Sequence, residues 1–166
     1  MTATNNITRM LDARKVAYTA YELPAEKLGA LETARQLGVS PALVYKTIVA
    51  LRSAPGSKPI LAVIPGSSKL DLKALAAAVN EKKVQVPTQR EAEELTGLQA
   101  GGISPLGLIN RGFQVVLDRS AEQHTAIHIS GGQRGLNLKL PVKDFVRLTN
   151  ARFAQIAAPT DEEQDD

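Results

Sequence analysis

Two apolar, β-branched runs lie close together in the first half of the chain, and they constrain the fold more than any other feature. The first is YKTIVALRS, residues 45–53, and the second is KPILAVIPG, residues 58–66. The segment APGS joins them, and a Pro-Gly turn between two such runs is typical of a β-hairpin. The sequence therefore predicts a β-sheet that contains this hairpin.

The remaining segments mix helical and strand patterns. Helical patterns occur in NNITRMLDARK, LETARQLG, DLKALAAAVN, TQREAEELTG and VKDFVRLTN. Strand patterns occur in VAYTAYEL, KKVQVP, FQVVLD, HTAIHIS and LNLKL. Because helices and strands do not alternate regularly, a doubly wound parallel sheet is not supported. We predict an α+β fold, a single domain with a central mixed sheet and helices packed around it.

Charge is distributed unevenly along the 166 residues, a length that fits one domain. The last six residues, DEEQDD, contain five of the 17 acids, so the rest carries 12 acids against 20 Lys and Arg, a net charge of +8. We predict a folded domain over residues 1–158 and a disordered acidic tail over residues 159–166. A basic domain suits an anionic partner such as nucleic acid, or its charge only keeps it in solution, and both interpretations stay open.

The composition excludes several kinds of chemistry. The chain has no cysteine, which removes disulfides, thiolate metal sites and a cysteine nucleophile. His124 and His128 have the spacing of metal ligands on a helix, but HTAIHI alternates as a strand does, so we predict no metal and no other cofactor. No signal peptide and no apolar run of membrane-spanning length is evident, so a cytoplasmic protein without a membrane partner is expected.

Two glycine-rich segments are candidates for binding. GLQAGGISPLG, residues 97–107, has four glycines among its eleven residues and neither a charge nor an aromatic ring, and SGGQRG occupies residues 130–135. Glycine lets a ligand approach the main chain closely, and the exposed N–H groups can then bind an anion or a developing oxyanion. The alternative is that both segments are tight turns with glycines at positive φ. Two such loops on one sheet could form walls of one pocket.

Three motifs in a fixed order carry a resemblance to a known family. VYKT at residues 44–47, GGISPLG at 101–107 and SGGQRGL at 130–136 resemble the YbaK/EbsC group of aminoacyl-tRNA deacylases. That superfamily also supplies the editing domain of bacterial prolyl-tRNA synthetases, and the resemblance covers the chain from its first helix to FAQIA. It implies a mixed α/β domain of the same type. The GGISPLG and SGGQRGL motifs resemble in particular the branch that acts on Cys-tRNA(Pro).

The resemblance also implies the site residues. The implied catalytic residues are Lys46, Gly101, Gly102 and Ser130. The implied substrate-binding residues are Tyr21, Ile103, Ser104, Pro105, Gly131, Arg134 and Asn137. Lys46 matches the pocket lysine of the family, and a lysine can hold a phosphate or ribose oxygen as a point charge. Asn137 stands where some members carry an aspartate.

The function implied is trans-editing, the cleavage of the ester of mischarged Cys-tRNA(Pro) and Cys-tRNA(Cys). In that branch the cysteinyl thiol of the substrate attacks its own ester and leaves as a thiolactone, so the enzyme needs no nucleophile. Two alternatives stay open: a water-dependent deacylase for alanine or another small amino acid, and a non-catalytic tRNA-binding module. The expected partners are the aminoacylated 3′ end of tRNA and, in a transient complex, prolyl-tRNA synthetase.

Overall fold

A computed structural model describes residues 4–160, and these residues form five helices and nine strands. The helices are α1 (Asn6–Ala13), α2 (Ala30–Leu37), α3 (Leu72–Ala78), α4 (Gln89–Thr96) and α5 (Val142–Thr149). The strands are β1 (Thr19–Glu22), β2 (Tyr45–Ala50), β3 (Ile60–Pro65), β4 (Ser68–Leu70), β5 (Gln114–Asp118), β6 (Ala126–Ser130), β7 (Leu136–Pro141), β8 (Arg152–Ala154) and β9 (Ala157–Pro159).

The hairpin predicted from the two apolar runs is present and forms part of a four-stranded sheet of order β2-β3-β5-β8. β2 and β3 are antiparallel, with Tyr45 opposite Pro65 and Ala50 opposite Ile60. β5 lies parallel to β3, and β8 lies parallel to β5, so the sheet is mixed. This arrangement confirms the predicted α+β class.

A second sheet of order β1-β7-β6 is antiparallel throughout and lies beside the first. A parallel bridge between Val44, just before β2, and His128 in β6 joins the two sheets. The third sheet pairs only β4 with β9. The end of β6 and the start of β7 therefore come close to β2, which places the SGGQRG loop beside the VYKT motif.

The core lies on both faces of β3, and this explains its continuous apolar sequence. All six residues of β3 are buried, as expected for a strand covered on two sides. On one face Leu61 and Val63 pack in a cluster with residues of α1 and α5, including Leu11 and Phe145. On the other face the neighbouring side chains of β3 pack against Leu75 and other residues of α3.

The end of α4 positions the GGISPLG loop. Thr88 and Glu91 form the predicted capping box: the Thr88 side chain accepts from the Glu91 N–H, and the Glu91 side chain accepts from the Thr88 N–H. Gly97 ends the helix in the left-handed region with φ of 75°. Local sequence signals at both ends of α4 thus determine where the loop begins.

Three details differ from the sequence prediction. KKVQVP was predicted as a strand, but it makes only an isolated bridge between Gln85 and Leu51. Three strands of three residues each, β4, β8 and β9, carry too short a pattern to be predicted. In the segment predicted as an acidic tail, Pro159 pairs with Ser68, and residues 161–166 lie outside the described residues.

Asp118, at the end of β5, holds the segment that contains β8 and β9. Its Oδ1 atom accepts hydrogen bonds from the main-chain N–H groups of Ile156 and Ala157, each at 2.9 Å. Burial alone would raise the pKa of Asp118, but hydrogen bonds from Ser120 and the two main-chain groups outweigh it and leave the pKa below its usual value. The carboxylate therefore stabilises this segment in its ionised form.

Candidate active site

A cleft of about 530 Å³ lies along β2, and four other segments complete its wall. These are the connection between β1 and α2, the start of α4, the GGISPLG loop and the SGGQRG loop with the start of β7. Five of the residues implied by the family resemblance line the cleft: Lys46, Gly101, Ile103, Ser130 and Asn137. The volume lies within the range of pockets that enclose small ligands.

Lys46 supplies a partly buried cation to the cleft. Its Nζ atom donates to the main-chain oxygen of Gly66 at 3.3 Å, and among the described residues no carboxylate forms an ion pair with it. The side chain is half-buried, and burial lowers the pKa of Lys46 below its usual value. A partly desolvated charge without a counter-ion is costly, and a bound anionic group would offset that cost.

The two glycines of the GGISPLG loop have different roles. Gly101 has φ of 91° and lines the cleft, and within residues 4–160 its N–H has no hydrogen-bond partner. Gly102 does not line the cleft, and its N–H donates to the Gln99 oxygen at 2.7 Å. The expectation that both glycines form an oxyanion site is therefore corrected: of these two N–H groups, only that of Gly101 lacks a hydrogen-bond partner among the described residues.

Gly102 instead allows the two loops to touch. A Cβ atom at this position would lie 2.7 Å from Cα and 2.8 Å from the carbonyl carbon of Gln133. Such distances are far below ordinary contact, so only glycine permits this approach of one main chain to the other. The predicted pair of pocket walls is thus a single packed unit in which the two loops support each other.

Three residues implied to bind substrate do not line the cleft but shape the loops. Arg134 donates from Nε to the Ala100 oxygen at 2.6 Å and ties the loops together. The buried Ser104 accepts from the Leu106 N–H at 3.2 Å and caps the 3₁₀ turn Pro105–Gly107. Pro105 opens that turn and lines a separate cavity of about 200 Å³.

The SGGQRG loop presents Ser130 to the cleft. The Ser130 hydroxyl accepts from the Gly132 N–H at 3.1 Å. The buried Gly131 donates its N–H to the Leu136 oxygen at 2.8 Å and does not line the cleft. A Cβ atom on Gly131 would lie 2.6 Å from Cγ of Leu136, so this glycine is required by packing rather than by a ligand.

Asn137 is held by a buried histidine. Its Oδ1 atom lies 3.0 Å from Nδ1 of His128, whose side chain is 3% exposed. Burial lowers the pKa of the His128 imidazole, against the opposing effect of the Asn137 hydrogen bond, and Lys139 lowers it further. A neutral imidazole that donates from Nδ1 leaves the Asn137 NH₂ group for the cleft. Tyr21, expected at the substrate, does not line the cleft and packs on His128 at 5.5 Å between ring centroids.

The site contains no nucleophile paired with a base. In the described part of the chain, the hydroxyl of Ser130 has no histidine partner, and Nδ1 of His128, which lies on the same strand, is bonded to Asn137. Residues 4–160 contain no group of three or more His, Asp or Glu side chains arranged to hold a metal ion. The same residues include no helix that is long and apolar enough to span a bilayer.

Several lining residues were not predicted. Thr47 follows Lys46 in the VYKT motif, and its Oγ1 atom is buried without a hydrogen-bond partner among the described residues. Lys27 and Gln89 line different walls and are joined by a hydrogen bond of 2.6 Å. The motif could have indicated Thr47, but no local signal identifies the other two, because they meet only in the folded chain.

The fold and cleft define a small α+β domain that offers a ligand main-chain donors and one partly buried cation. Residues 25–148 match the family described as "Aminoacyl-tRNA editing domain". The match covers well over half of the chain, and the chain therefore belongs to the aminoacyl-tRNA editing domain family. The predicted family relationship is confirmed.

Individual relatives agree with this assignment. The chain is 38% identical over 153 residues to EbsC of Enterococcus faecalis, a candidate Cys-tRNA(Pro)/Cys-tRNA(Cys) deacylase, and the match covers 91% of this chain and 92% of that protein. The crystal structure of hypothetical protein APE2540 superposes with a TM-score of 0.83 at 25% identity, covering 93% of this chain and 100% of the other. A candidate trans-editing enzyme for prolyl-tRNA synthetase has the same fold, with a TM-score of 0.77 at 24% identity and coverage of 94% and 99%.

Proposed function

We propose that this protein is a trans-editing deacylase that removes cysteine from Cys-tRNA(Pro) and Cys-tRNA(Cys). The observation that carries the proposal is the 38% identity to EbsC over 91% of the chain, which includes all three motifs of the cleft. Among the described residues of the cleft, no side-chain nucleophile is hydrogen-bonded to a general base. This supports a reaction in which the substrate supplies the nucleophile.

The proposed reaction is an intramolecular displacement. The thiol sulfur of the cysteinyl group attacks the ester carbonyl carbon, and a C–S bond forms as the thiol loses its proton. The C–O bond to the ribose then breaks, the ribose oxygen takes up a proton, and cysteine leaves as a cyclic thiolactone. Holding the thiol against the carbonyl supplies much of the rate, because the reacting groups already belong to one molecule.

The protein stabilises the charge that develops in this step. The Gly101 N–H can donate to the carbonyl oxygen as it becomes an oxyanion, and the loss of one such donor usually costs about 3–4 kcal/mol. Lys46 can hold the departing ribose or an adjacent phosphate with its charge. Because an aminoacyl ester is already activated, these two groups are sufficient for catalysis.

A water-dependent reaction on Ala-tRNA is the second candidate. Ser130 and Asn137 face each other across β6 and β7 and both line the cleft. A hydroxyl and an amide so placed can hold a water molecule between them. An alanyl ester has no thiol, so it requires such a water as nucleophile.

The partners follow from the substrate. The aminoacylated 3′ end of tRNA is the ligand of the cleft, and we expect a cytoplasmic location because aminoacyl-tRNA is found there. A domain of this size reads little beyond the acceptor end, so we propose that a transient complex with prolyl-tRNA synthetase supplies tRNA identity. A pull-down of purified synthetase with this protein and tRNA tests that complex, and the absence of a ternary complex contradicts it.

The decisive experiment is deacylation of Cys-tRNA(Pro), Cys-tRNA(Cys) and Ala-tRNA(Pro) by the purified protein, with mass analysis of the released product. We expect thiolactone from the two cysteinyl substrates and little release of alanine. Hydrolysed alanine would favour the water-dependent candidate. No cleavage of any substrate, together with retained tRNA binding, would favour a non-catalytic tRNA-binding module.

A further inference from the structure

One edge of the four-stranded sheet is open where it borders the cleft. β2 is the outermost strand, with β3 on its inner side only. At its beginning, the bridge from Val44 to His128 covers the outer side. Just after its end, Leu51 donates to the Gln85 oxygen at 2.7 Å and accepts from the Gln85 N–H at 3.2 Å. Between these two contacts the outer edge of β2 has no strand beside it among the described residues.

The main-chain groups of Thr47 and Val49 point outward from this open edge. In an antiparallel ladder, the N–H and C=O of one residue lie on the same side of the strand, and the side alternates from residue to residue. The Leu51 groups point away from β3, toward Gln85. The register of β2 with β3 is continuous from Tyr45 to Ala50, so Thr47 and Val49 have the same orientation as Leu51.

The outward groups border the cleft and lack partners in the described part of the chain. Thr47 and Val49 both line the cleft, and no described strand or loop bonds to their outer side. The Thr47 hydroxyl is also without a partner there. Unpaired main-chain groups at a strand edge are a ready template for another extended segment. The open edge thus presents main-chain N–H and C=O groups that no described segment of the chain binds.

The cleft contains a second free main-chain donor among the described residues. The Gly102 N–H is bonded to Gln99, which leaves Gly101 as the glycine donor for a substrate carbonyl. The Thr47 N–H lies on another wall of the same cleft. Because an amino acid carries an amine and a carbonyl at the spacing of a strand residue, it can pair with one residue of an open edge on both sides.

We propose that the open edge of β2 binds the amino-acid part of the substrate as a single residue of an added strand. The substrate α-amino group donates to the Thr47 carbonyl oxygen, and the Thr47 N–H donates to the ester carbonyl oxygen. This inference rests on the proposed function, since it takes an aminoacyl ester as the ligand. It requires an α-nitrogen that can donate a hydrogen bond, so an analogue without the amine should bind more weakly.

The test uses an unreactive probe, 3′-(L-alanyl)amino-3′-deoxyadenosine, in which an amide replaces the ester. Hydrogen exchange of the wild-type amides is followed by NMR with and without this probe, and 3′-propanoylamino-3′-deoxyadenosine, which lacks only the α-amino group, is the matched control. We expect the exchange of the Thr47 N–H to slow with the probe. We expect the compound without the amine to bind about tenfold more weakly or worse, because one hydrogen bond usually contributes about that much to affinity. Unchanged exchange at Thr47, or equal binding of both compounds, would overturn the proposal.

A variant gives a second readout. Because the Thr47 N–H points away from β3, Thr47→Pro removes an outward donor without removing a ladder hydrogen bond, a position at which edge strands accept proline. Once folding is verified by circular dichroism, we expect affinity for the probe to fall about tenfold, because one hydrogen bond usually contributes about that much to affinity. Wild-type affinity in the folded variant would contradict the inference.

The two proposals fail in different ways. If the wild-type protein cleaves Cys-tRNA but the Thr47 N–H stays unprotected by the probe, the function stands and the open-edge site is refuted. If the probe protects Thr47 and no aminoacyl-tRNA is cleaved, the binding site stands and the deacylase function is refuted. The exchange measurement does not depend on turnover or on the folding of a variant.

Discussion

Substitution of Gly102 by alanine tests whether contact between the two loops, and not glycine flexibility, keeps the cleft active. The added Cβ would lie 2.7 Å from Cα of Gln133, and the obstructing atoms belong to the main chain, which cannot rotate away. The loops must separate by at least about 0.7 Å before this contact reaches the ordinary 3.4 Å. Overpacking of this kind costs about 1–3 kcal/mol of unfolding free energy.

The displacement acts on the reaction as well as on stability. It moves Gly101 relative to the SGGQRG loop and lengthens the 2.6 Å bond from Arg134 to the Ala100 oxygen. A misplacement of about 1 Å in an active site can reduce the rate roughly 10²-fold. We therefore expect kcat/KM of Gly102→Ala for Cys-tRNA(Pro) to fall by one to two orders of magnitude, measured at a temperature where the variant is folded.

Gly97→Ala is the matched control. Gly97 has φ of 75°, and a Cβ atom added there would have no heavy atom within 4 Å, so alanine suffers only the left-handed backbone strain of about 1–2 kcal/mol. Urea unfolding should show comparable losses of stability for both variants, whereas single-turnover deacylation should be impaired only in Gly102→Ala. Equal activities of the two variants would refute the reasoning that loop contact positions the catalytic groups.

Three further predictions concern single groups. Gly101→Ala keeps the main-chain N–H, but residue 101 has φ of 91° and an added Cβ would lie 3.3 Å from Arg134 Nε and Lys27 Cα, so the N–H should be displaced. We expect kcat in single-turnover deacylation to fall roughly 10²-fold, and unchanged turnover would contradict a requirement for this geometry. Lys46→Ala should chiefly weaken tRNA binding, and a filter-binding affinity equal to wild type would contradict its role. Asp118→Asn should lower the urea midpoint more at pH 7 than at pH 3: the folded-state pKa of Asp118 is lowered, so its stabilisation is fully present above the unfolded value of 3.8 and decreases as pH falls below that value and through the folded one. An equal loss at both pH values would exclude a contribution from the charge.

Local sequence signals were sufficient for most of the elements. The capping box of Thr88 and Glu91 and the glycine at position 97 set both ends of α4, because helix caps depend on residues three or four positions apart. The uninterrupted apolar run of β3 indicated its burial. Three short motifs indicated the family, and five of the eleven residues implied by the resemblance line the cleft, namely Lys46, Gly101, Ile103, Ser130 and Asn137.

Pairing between distant segments could not be predicted. The three-residue strands β4, β8 and β9 have no pattern of their own and exist because partners hold them, as Asp118 holds the N–H groups of Ile156 and Ala157. KKVQVP has the composition of a strand, but its only pairing among the described residues is the isolated bridge between Gln85 and Leu51. Strand formation depends on a neighbour, and the sequence of one segment does not contain that neighbour.

The sequence by itself therefore determined the helices, the hairpin, the family and part of the group of residues around the cleft. Only the tertiary structure decided what each residue does there. Gly102 and Arg134 support the loops because a main chain and a carbonyl distant in sequence come within contact distance of them. The outer edge of β2 remains open at Thr47 because the flanking bridges end on either side of it. Hydrogen-bond availability depends on where distant groups lie, and this information exists only in the folded chain.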